Sequence, residues 1–328
     1  MTAIVAMHQK SWDHIGEQLQ ALGLDIDVVT FNDDGQFLID GRTTSPSEVN
    51  VDYLWLSAHL NQGEARNVAF ETVLACQTVG VLQTFNAGLD DPFYKEASHK
   101  KIRICNSSAQ GVAIAEYVMA QVLGIFHPIE RQRAMQAAKD WQRTPFRELS
   151  RSNWLILGYG PIGQEVAKRA KAFGASITVI RRTPSTSDIV DRSGTLDDLQ
   201  TFLPDADVIL LACPLNDRTR GLAGTNFFKA VKDGAALVNI ARGGLIDDAA
   251  LIASLDNGKL STAILDVFHT EPLPVDDPLW SHPKIRLTSH TSFAGDGVQD
   301  RWDHLFLDNI QRYMRGEALV CEVDPRDI

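Results

Sequence analysis

The sequence predicts an α/β protein of two lobes, each built on a doubly wound parallel sheet, with a cleft between them. Three observations lead there. The 328 residues exceed one ordinary core and fit two domains of ~150 residues each. Short apolar runs alternate with helical patterns along most of the chain, which is how parallel sheets with crossover helices read. A glycine fingerprint, Gly158-Tyr159-Gly160-Pro161-Ile162-Gly163, begins at residue 158 rather than near residue 10, so another domain precedes the one it marks.

In the first lobe, apolar runs at Ile4–Met7, Ile26–Thr30, Tyr53–Leu56, Val81–Thr84 and Arg103–Cys105 read as strands. Trp12–Leu22 and Glu64–Gln77 read as helices. A long helix from Val112 to Phe126 then leads to a basic segment, Glu130–Arg143. Asn153–Leu157 is a buried strand, and Ile162, Val166, Ala170 and Phe173 follow at helical spacing, with Gly174 as the stop. Further strands fit Ser176–Ile180, Asp207–Leu211, Ala236–Asn239, Thr262–Asp266 and Ile285–Thr288. These six strands suffice for a complete dinucleotide-binding sheet. The last helix, Gly297–Tyr313, is expected to return to the first lobe. The expected domains are residues 1–106 with 292–328, and residues 107–291 as one insert, both of Rossmann/flavodoxin-like design.

Composition removes several function classes. Hydrophobic residues make up 44% and charged residues 22%, a globular balance rather than a disordered one. No apolar run approaches the ~18 residues of a membrane span, and the start is too short in apolar residues for a signal peptide. Lys and Arg total 31 against 42 Asp and Glu, a net charge of −11, which repels nucleic-acid phosphates. The four cysteines lack metal-ligand spacing, so neither a metal site nor disulfide staples are expected, and the cytoplasm is the expected compartment.

Between a strand and a helix, the fingerprint has a physical reading. Gly158 permits a tight turn, Gly160 lets a pyrophosphate approach the backbone, and Gly163 allows close helix–strand contact. The helix start then offers free N–H groups to phosphates. At the end of the next strand an NAD site usually carries an acid for the ribose hydroxyls. This chain has Arg181-Arg182-Thr183, which suits a 2′-phosphate, so NADP is favoured, with NAD as the weaker alternative. Three later strands end in an arginine (Arg242), an aspartate (Asp266, with Glu271 shortly after) and a histidine (His290). A cation, carboxylates and an imidazole thus follow successive strands at one sheet edge, where ligands bind.

With these blocks in place, the chain resembles the D-isomer-specific 2-hydroxyacid dehydrogenases, close to the glyoxylate/hydroxypyruvate reductase branch. The resemblance is carried by the fingerprint, Cys213–Leu222, Asn239–Gly243 with Leu245-Ile246-Asp247, Leu265–Pro272 and Ser289-His290. It implies Arg242, Glu271 and His290 as the catalytic trio. It also implies that Asn86–Asp90 is the substrate-carboxylate loop, binding through the N–H groups of Ala87 and Gly88. Cys213, Pro214 and Thr219 would line the adenosine side of the cofactor, with Ile240 and Ala241 also beside it and Asp266 on the nicotinamide side. Ser289 stands where the family often has proline. The segment His127–Arg147 resembles the arm through which relatives form dimers, so a homodimer is expected.

The implied reaction moves a hydride between NAD(P)H and a small 2-keto or D-2-hydroxy acid, without a metal. Arg242 would bind the carboxylate or carbonyl oxygen and stabilise its growing charge. His290 would deliver the proton, with Glu271 favouring the charged ring and fixing its orientation. Two other classes fit less well: a dinucleotide-sensing regulatory protein, which needs no proton donor, and a related two-lobed dehydrogenase acting on formate or phosphoglycerate. His8, His14, His59, His99, His127, His269, His282 and His304 read as structural or solvent-facing, with His59 the one placed to reach a pocket. Glu116 reads as a surface or interlobe contact, and Trp141 as an interface residue.

Overall fold

Parallel pairing organises both halves of the chain in the computed structural model, which describes residues 2–39, 41–60 and 64–328. The first half runs β1 (Ala3–His8), α1 (Gln9–Ala21), β2 (Ile26–Phe31), β3 (Phe37–Ile39), β4 (Arg42–Thr44), β5 (Asn50–Leu56), α2 (Glu64–Ala75), β6 (Thr78–Thr84), α3 (Pro92–His99) and β7 (Arg103–Cys105). The strand order is β4-β3-β2-β1-β5-β6-β7, parallel except at β3, which runs antiparallel to both β2 and β4. α1 starts sharply because the His8 ring accepts a bond from the Lys10 N–H at 3.1 Å. It buries Ser11, Ile15 and Leu19, one helical stripe.

The chain then forms α4 (Gly111–Phe126), α5 (Ile129–Ala137), β8 (Asn153–Leu157), α6 (Pro161–Ala172), β9 (Ser176–Ile180) and β10 (Arg192–Gly194). It continues through α7 (Leu199–Phe202), β11 (Val208–Leu211), α8 (Thr225–Ala230), β12 (Ala235–Asn239), α9 (Asp248–Asp256), β13 (Leu260–Leu265) and β14 (Ile285–Leu287). These strands form an all-parallel sheet in the order β10-β9-β8-β11-β12-β13-β14. Helices cover both faces, so its strands read as continuous apolar runs. Trp154, Ile156, Val208, Leu210 and Val238 enter the core on one face, while Leu155, Leu157, Ile209, Leu211 and Leu237 enter the other.

The final helix, α10 (Val298–Met314), rejoins the first half. Phe306 stacks on Trp55 with ring centroids 4.2 Å apart, in a core with Val5, Met7, Tyr53 and Ile310. The chain divides into two compact units, Met1–Gln110 with Asp296–Ile328, and Gly111–Gly295. Each crossing lies four residues beyond the one read from the sequence. Residues 109 and 110 stay with the first unit because Arg301 donates to the Ala109 carbonyl at 2.8 Å and the Gln110 amide donates to the Phe85 carbonyl. Among the described residues no single helix is long and apolar enough to cross a membrane.

Candidate active site

All strands of the second sheet are parallel, so their carboxyl ends share one edge, and the loops leaving β8, β9, β11, β12, β13 and β14 open onto it. After β8, Gly158 has φ +101°, and a Cβ there would stand 2.4 Å from the Ala212 carbonyl oxygen. A Cβ on Gly163 would stand 2.2 Å from the Gly158 carbonyl oxygen, whereas one at Gly160 would meet nothing within 4 Å. The turn is therefore closed where helix meets strand and open where a pyrophosphate would lie. Pro161 begins α6 with no side chain capping it, so first-turn N–H groups, beginning with Ile162, face that opening. These residues fit a dinucleotide.

After β9, the Arg181 guanidinium lies over the Tyr159 ring at 5.6 Å and donates to the Ser185 hydroxyl at 2.8 Å. Arg182 and Thr183 are exposed on the same turn. After β11, Cys213 is buried, which pushes its thiol up to about 11 and keeps it uncharged. Pro214 beside it is exposed. Thr219 does not present its hydroxyl outward. That group donates to the Pro214 carbonyl at 2.7 Å and accepts from the Asn216 N–H at 2.8 Å, so it shapes the loop.

The loop after β12 is set by Asn239, which is fully buried. Its amide donates to the Arg242 carbonyl at 2.9 Å and accepts from the Ala241 N–H at 3.1 Å. Ile240 is buried at the strand end. Arg242 Nη1 donates to the Ala241 carbonyl at 2.7 Å. Gly243 follows without room for a side chain, since its Cβ would stand 2.0 Å from the Phe268 carbonyl carbon.

His290 lies in the left-handed region, φ +52°. Its Nδ1 is 2.7 Å from Glu271 Oε2, while Glu271 Oε1 accepts from the Phe268 N–H at 2.9 Å. The other ring nitrogen, Nε2, makes no hydrogen bond among the described residues. Asp266, 0% exposed, holds this loop. Its backbone carbonyl accepts from the His290 N–H at 2.8 Å, and its carboxylate accepts from Thr291 N at 2.9 Å and Ser292 N at 3.1 Å. The Thr288 hydroxyl donates to the same carboxylate at 2.6 Å and meets the Tyr117 hydroxyl at 2.8 Å. Burial raises the Tyr117 phenol above its ordinary value, which keeps it a proton donor. Asp266 thus braces the histidine loop, a role its strand-end position did not suggest. Thr288 and Tyr117 were not singled out in the sequence; nothing local marks them, because their partners are 22 and 171 positions away.

In the first unit, Ala87 and Gly88 follow β6. The Ala87 carbonyl accepts from the Asn106 amide at 2.7 Å, and the Asn86 carbonyl accepts from Ser107 N at 2.8 Å. The Ala87 and Gly88 N–H groups have no partner among the described residues. Glu116 pairs with Arg169 at 3.5 Å on the outside of α4, a surface contact within the second unit. Trp141 is fully exposed.

A sequence profile described as D-isomer specific 2-hydroxyacid dehydrogenase, NAD binding domain, matches residues 119–292. A glyoxylate/hydroxypyruvate reductase A from Salmonella choleraesuis is 31% identical over 77% of this chain and 79% of its own length. A D-3-phosphoglycerate dehydrogenase from Methanocaldococcus jannaschii is 32% identical over 76% of this chain, which spans only 48% of that protein. The crystal structure of a D-isomer specific 2-hydroxyacid dehydrogenase family protein from Aeromonas salmonicida superposes with a TM-score of 0.78 at 26% identity, covering 99% of this chain and 100% of the other.

Proposed function

Given that the chain belongs to the D-isomer specific 2-hydroxyacid dehydrogenase family, we propose that it reduces a small 2-keto acid of the glyoxylate/hydroxypyruvate type to the D-2-hydroxy acid. The observation that carries this reading is the 2.7 Å His290–Glu271 pair, at the same sheet edge as the glycine cradle. When bound, the reduced nicotinamide supplies the hydride. His290 holds the proton on Nε2 for the carbonyl oxygen, and Glu271 orients the ring through Nδ1. Arg242 binds the substrate's carboxylate or carbonyl oxygen and stabilises the charge that grows there. The N–H groups of Ala87 and Gly88 hold the carboxylate. Tyr159, Pro161, Ile162, Cys213, Pro214, Ile240 and Ala241 supply walls for the dinucleotide, and Asp266 braces the loop that carries His290. The experiment is coenzyme oxidation with glyoxylate, hydroxypyruvate, pyruvate and phenylpyruvate, each with NADPH and with NADH. No turnover on any of them would sink the reading.

NADPH is the preferred coenzyme in this proposal, with NADH weaker. Arg181 and Arg182 offer two cations and Thr183 a hydroxyl where a carboxylate would repel a 2′-phosphate. A charge-assisted hydrogen bond contributes ~1.5–3 kcal/mol, so one good contact implies about ten- to a hundredfold discrimination. Exposure pulls this toward the lower figure. The ratio of kcat/KM for the two coenzymes is expected to fall in Arg181→Asp; equal values in the parent would refute the preference.

A homodimer is also proposed. α5 buries none of its residues, and Trp141 and Phe146 project from the segment after it, 100% and 55% exposed. A second copy covering them accounts for such exposure. Light scattering is expected to give twice the chain mass, and a monomer for Trp141→Asp with Phe146→Asp. A monomeric parent would refute it.

A further inference from the structure

In the first sheet the parallel strands run β2-β1-β5-β6-β7, so the order reverses between β1 and β5. Ligands of open α/β sheets bind outside the carboxyl ends of the strands at such a switch point. Polar side chains converge there. Ser11, in the first turn of α1, and Ser57, just past β5, are both 0% exposed and share a 2.6 Å hydrogen bond. The Ser57 hydroxyl also lies 3.2 Å from Nδ1 of His59. On its other side the His59 ring meets His14, with centroids 5.0 Å apart. Nε2 of His14 is fixed 2.7 Å from the buried carboxylate of Asp303 on α10, whose second oxygen accepts from the Gln299 amide at 2.9 Å.

Holding an exposed side chain still costs rotamer entropy, and burying hydroxyls and a carboxylate costs solvation. Here both costs serve to fix one exposed imidazole, and its Nε2 makes no hydrogen bond among the described residues. Packing alone would be served better by apolar residues at 11 and 57. Burial first, and His14 second, lower the His59 pKa from its ordinary value. The ring therefore meets a ligand as a neutral hydrogen-bonding group, which suits a hydroxyl better than a second carboxylate.

The neighbouring loop is the Ala87–Gly88 turn. Leu56 pairs with Thr84, and Phe85 N donates to the Leu56 carbonyl at 3.1 Å. His59 and Ala87 thus each lie three residues past a paired strand end, on strands about 4.8 Å apart. A small acid held by Ala87 and Gly88 therefore lies beside the loop that carries His59.

We propose that His59 reads the third carbon of the substrate, selecting 2-keto acids that carry a hydroxyl there over those ending in a methyl group or a second carboxylate. The inference rests on the assignment of the substrate carboxylate to Ala87 and Gly88. Ser57 and Ser11 are positioning residues that act through His59.

The test is kcat/KM for hydroxypyruvate, pyruvate, oxaloacetate and glyoxylate in the parent, His59→Phe, His59→Gln and Ser57→Ala. The parent is expected to favour hydroxypyruvate over pyruvate by about tenfold, the size of one well-made neutral hydrogen bond. His59→Phe brings that ratio close to one, and His59→Gln, which keeps an amide donor near the Nε2 position, restores part of it. Ser57→Ala lowers the ratio less, through KM for hydroxypyruvate. Ratios between substrates do not respond to a general loss of folded protein. An unmoved ratio in His59→Phe, or a parent that treats the two acids alike while reducing glyoxylate, overturns this inference and leaves the reductase reading standing. A parent that turns over none of the four overturns both.

Discussion

Replacing His290 with alanine is expected to lower the rate of keto-acid reduction by ~10²–10⁴, the usual size of a general-acid contribution. The geometry of the ring suits that role. Nδ1 is committed to Glu271 at 2.7 Å, Glu271 is itself anchored by the Phe268 N–H, and Nε2 is left for a substrate oxygen. Coenzyme binding should survive the change, because the glycine cradle and the turn at Arg181 leave from β8 and β9, at the other end of the strand order from β14. Glu271→Gln should retain more activity than His290→Ala, since an amide can still orient the ring but no longer offers a charge opposite it. Near-normal turnover in His290→Ala, measured as NADPH oxidation at saturating keto acid, would end the assignment.

Arg242→Ala is expected to reduce kcat/KM by about 10²–10³, comparable to removing one donor that stabilises a developing oxyanion. Both KM and kcat should change, because the guanidinium's charge serves the ground state and the transition state alike. Arg242→Lys should recover little. The arginine is presented by a loop fastened at 2.9 Å to the Asn239 amide and packed against the Phe268–His269 backbone. A lysine there keeps the charge but loses the planar fork that can grip two oxygens. Unchanged kcat with raised KM would assign Arg242 to binding alone. Wild-type kinetics would remove it from the site.

Much of this arrangement was legible because burial on both faces leaves continuous apolar runs. Asn153-Trp154-Leu155-Ile156-Leu157 and Ser176-Ile177-Thr178-Val179-Ile180 form strands at the positions expected. β10 was not expected, because Arg192-Ser193-Gly194 carries no apolar signal; it exists as an edge strand against β9, its end tied by the bond from Arg181 N to the Gly194 carbonyl. α3 escaped because a helix of eight residues shows little period, although Asp91 and Pro92 are a recognisable start. The β3–β4 hairpin escaped because its strands are three residues each. In the site, strand ends pointed to Arg242, Asp266 and His290. The brace formed by Tyr117, Thr288 and Asp266 joins residues up to 171 positions apart, and no local pattern encodes such a pairing. The same holds for His14 and Asp303, 289 positions apart.

The return of α10 to the first sheet has a consequence for how the protein is made. On the ribosome, β1 and β5 emerge early, but Trp55 has no Phe306 to stack against until synthesis has passed through the whole second unit. The second unit draws on one uninterrupted stretch, Gly111–Gly295, so it can close its core while the first still waits with an apolar face uncovered. Domains that emerge first usually fold first; this connectivity is expected to reverse that order, leaving the nascent first unit as the part exposed to misfolding. A chain stalled or truncated before Phe306 would carry a finished dinucleotide fold beside an exposed sheet, which makes it a ready substrate for aggregation or proteolysis.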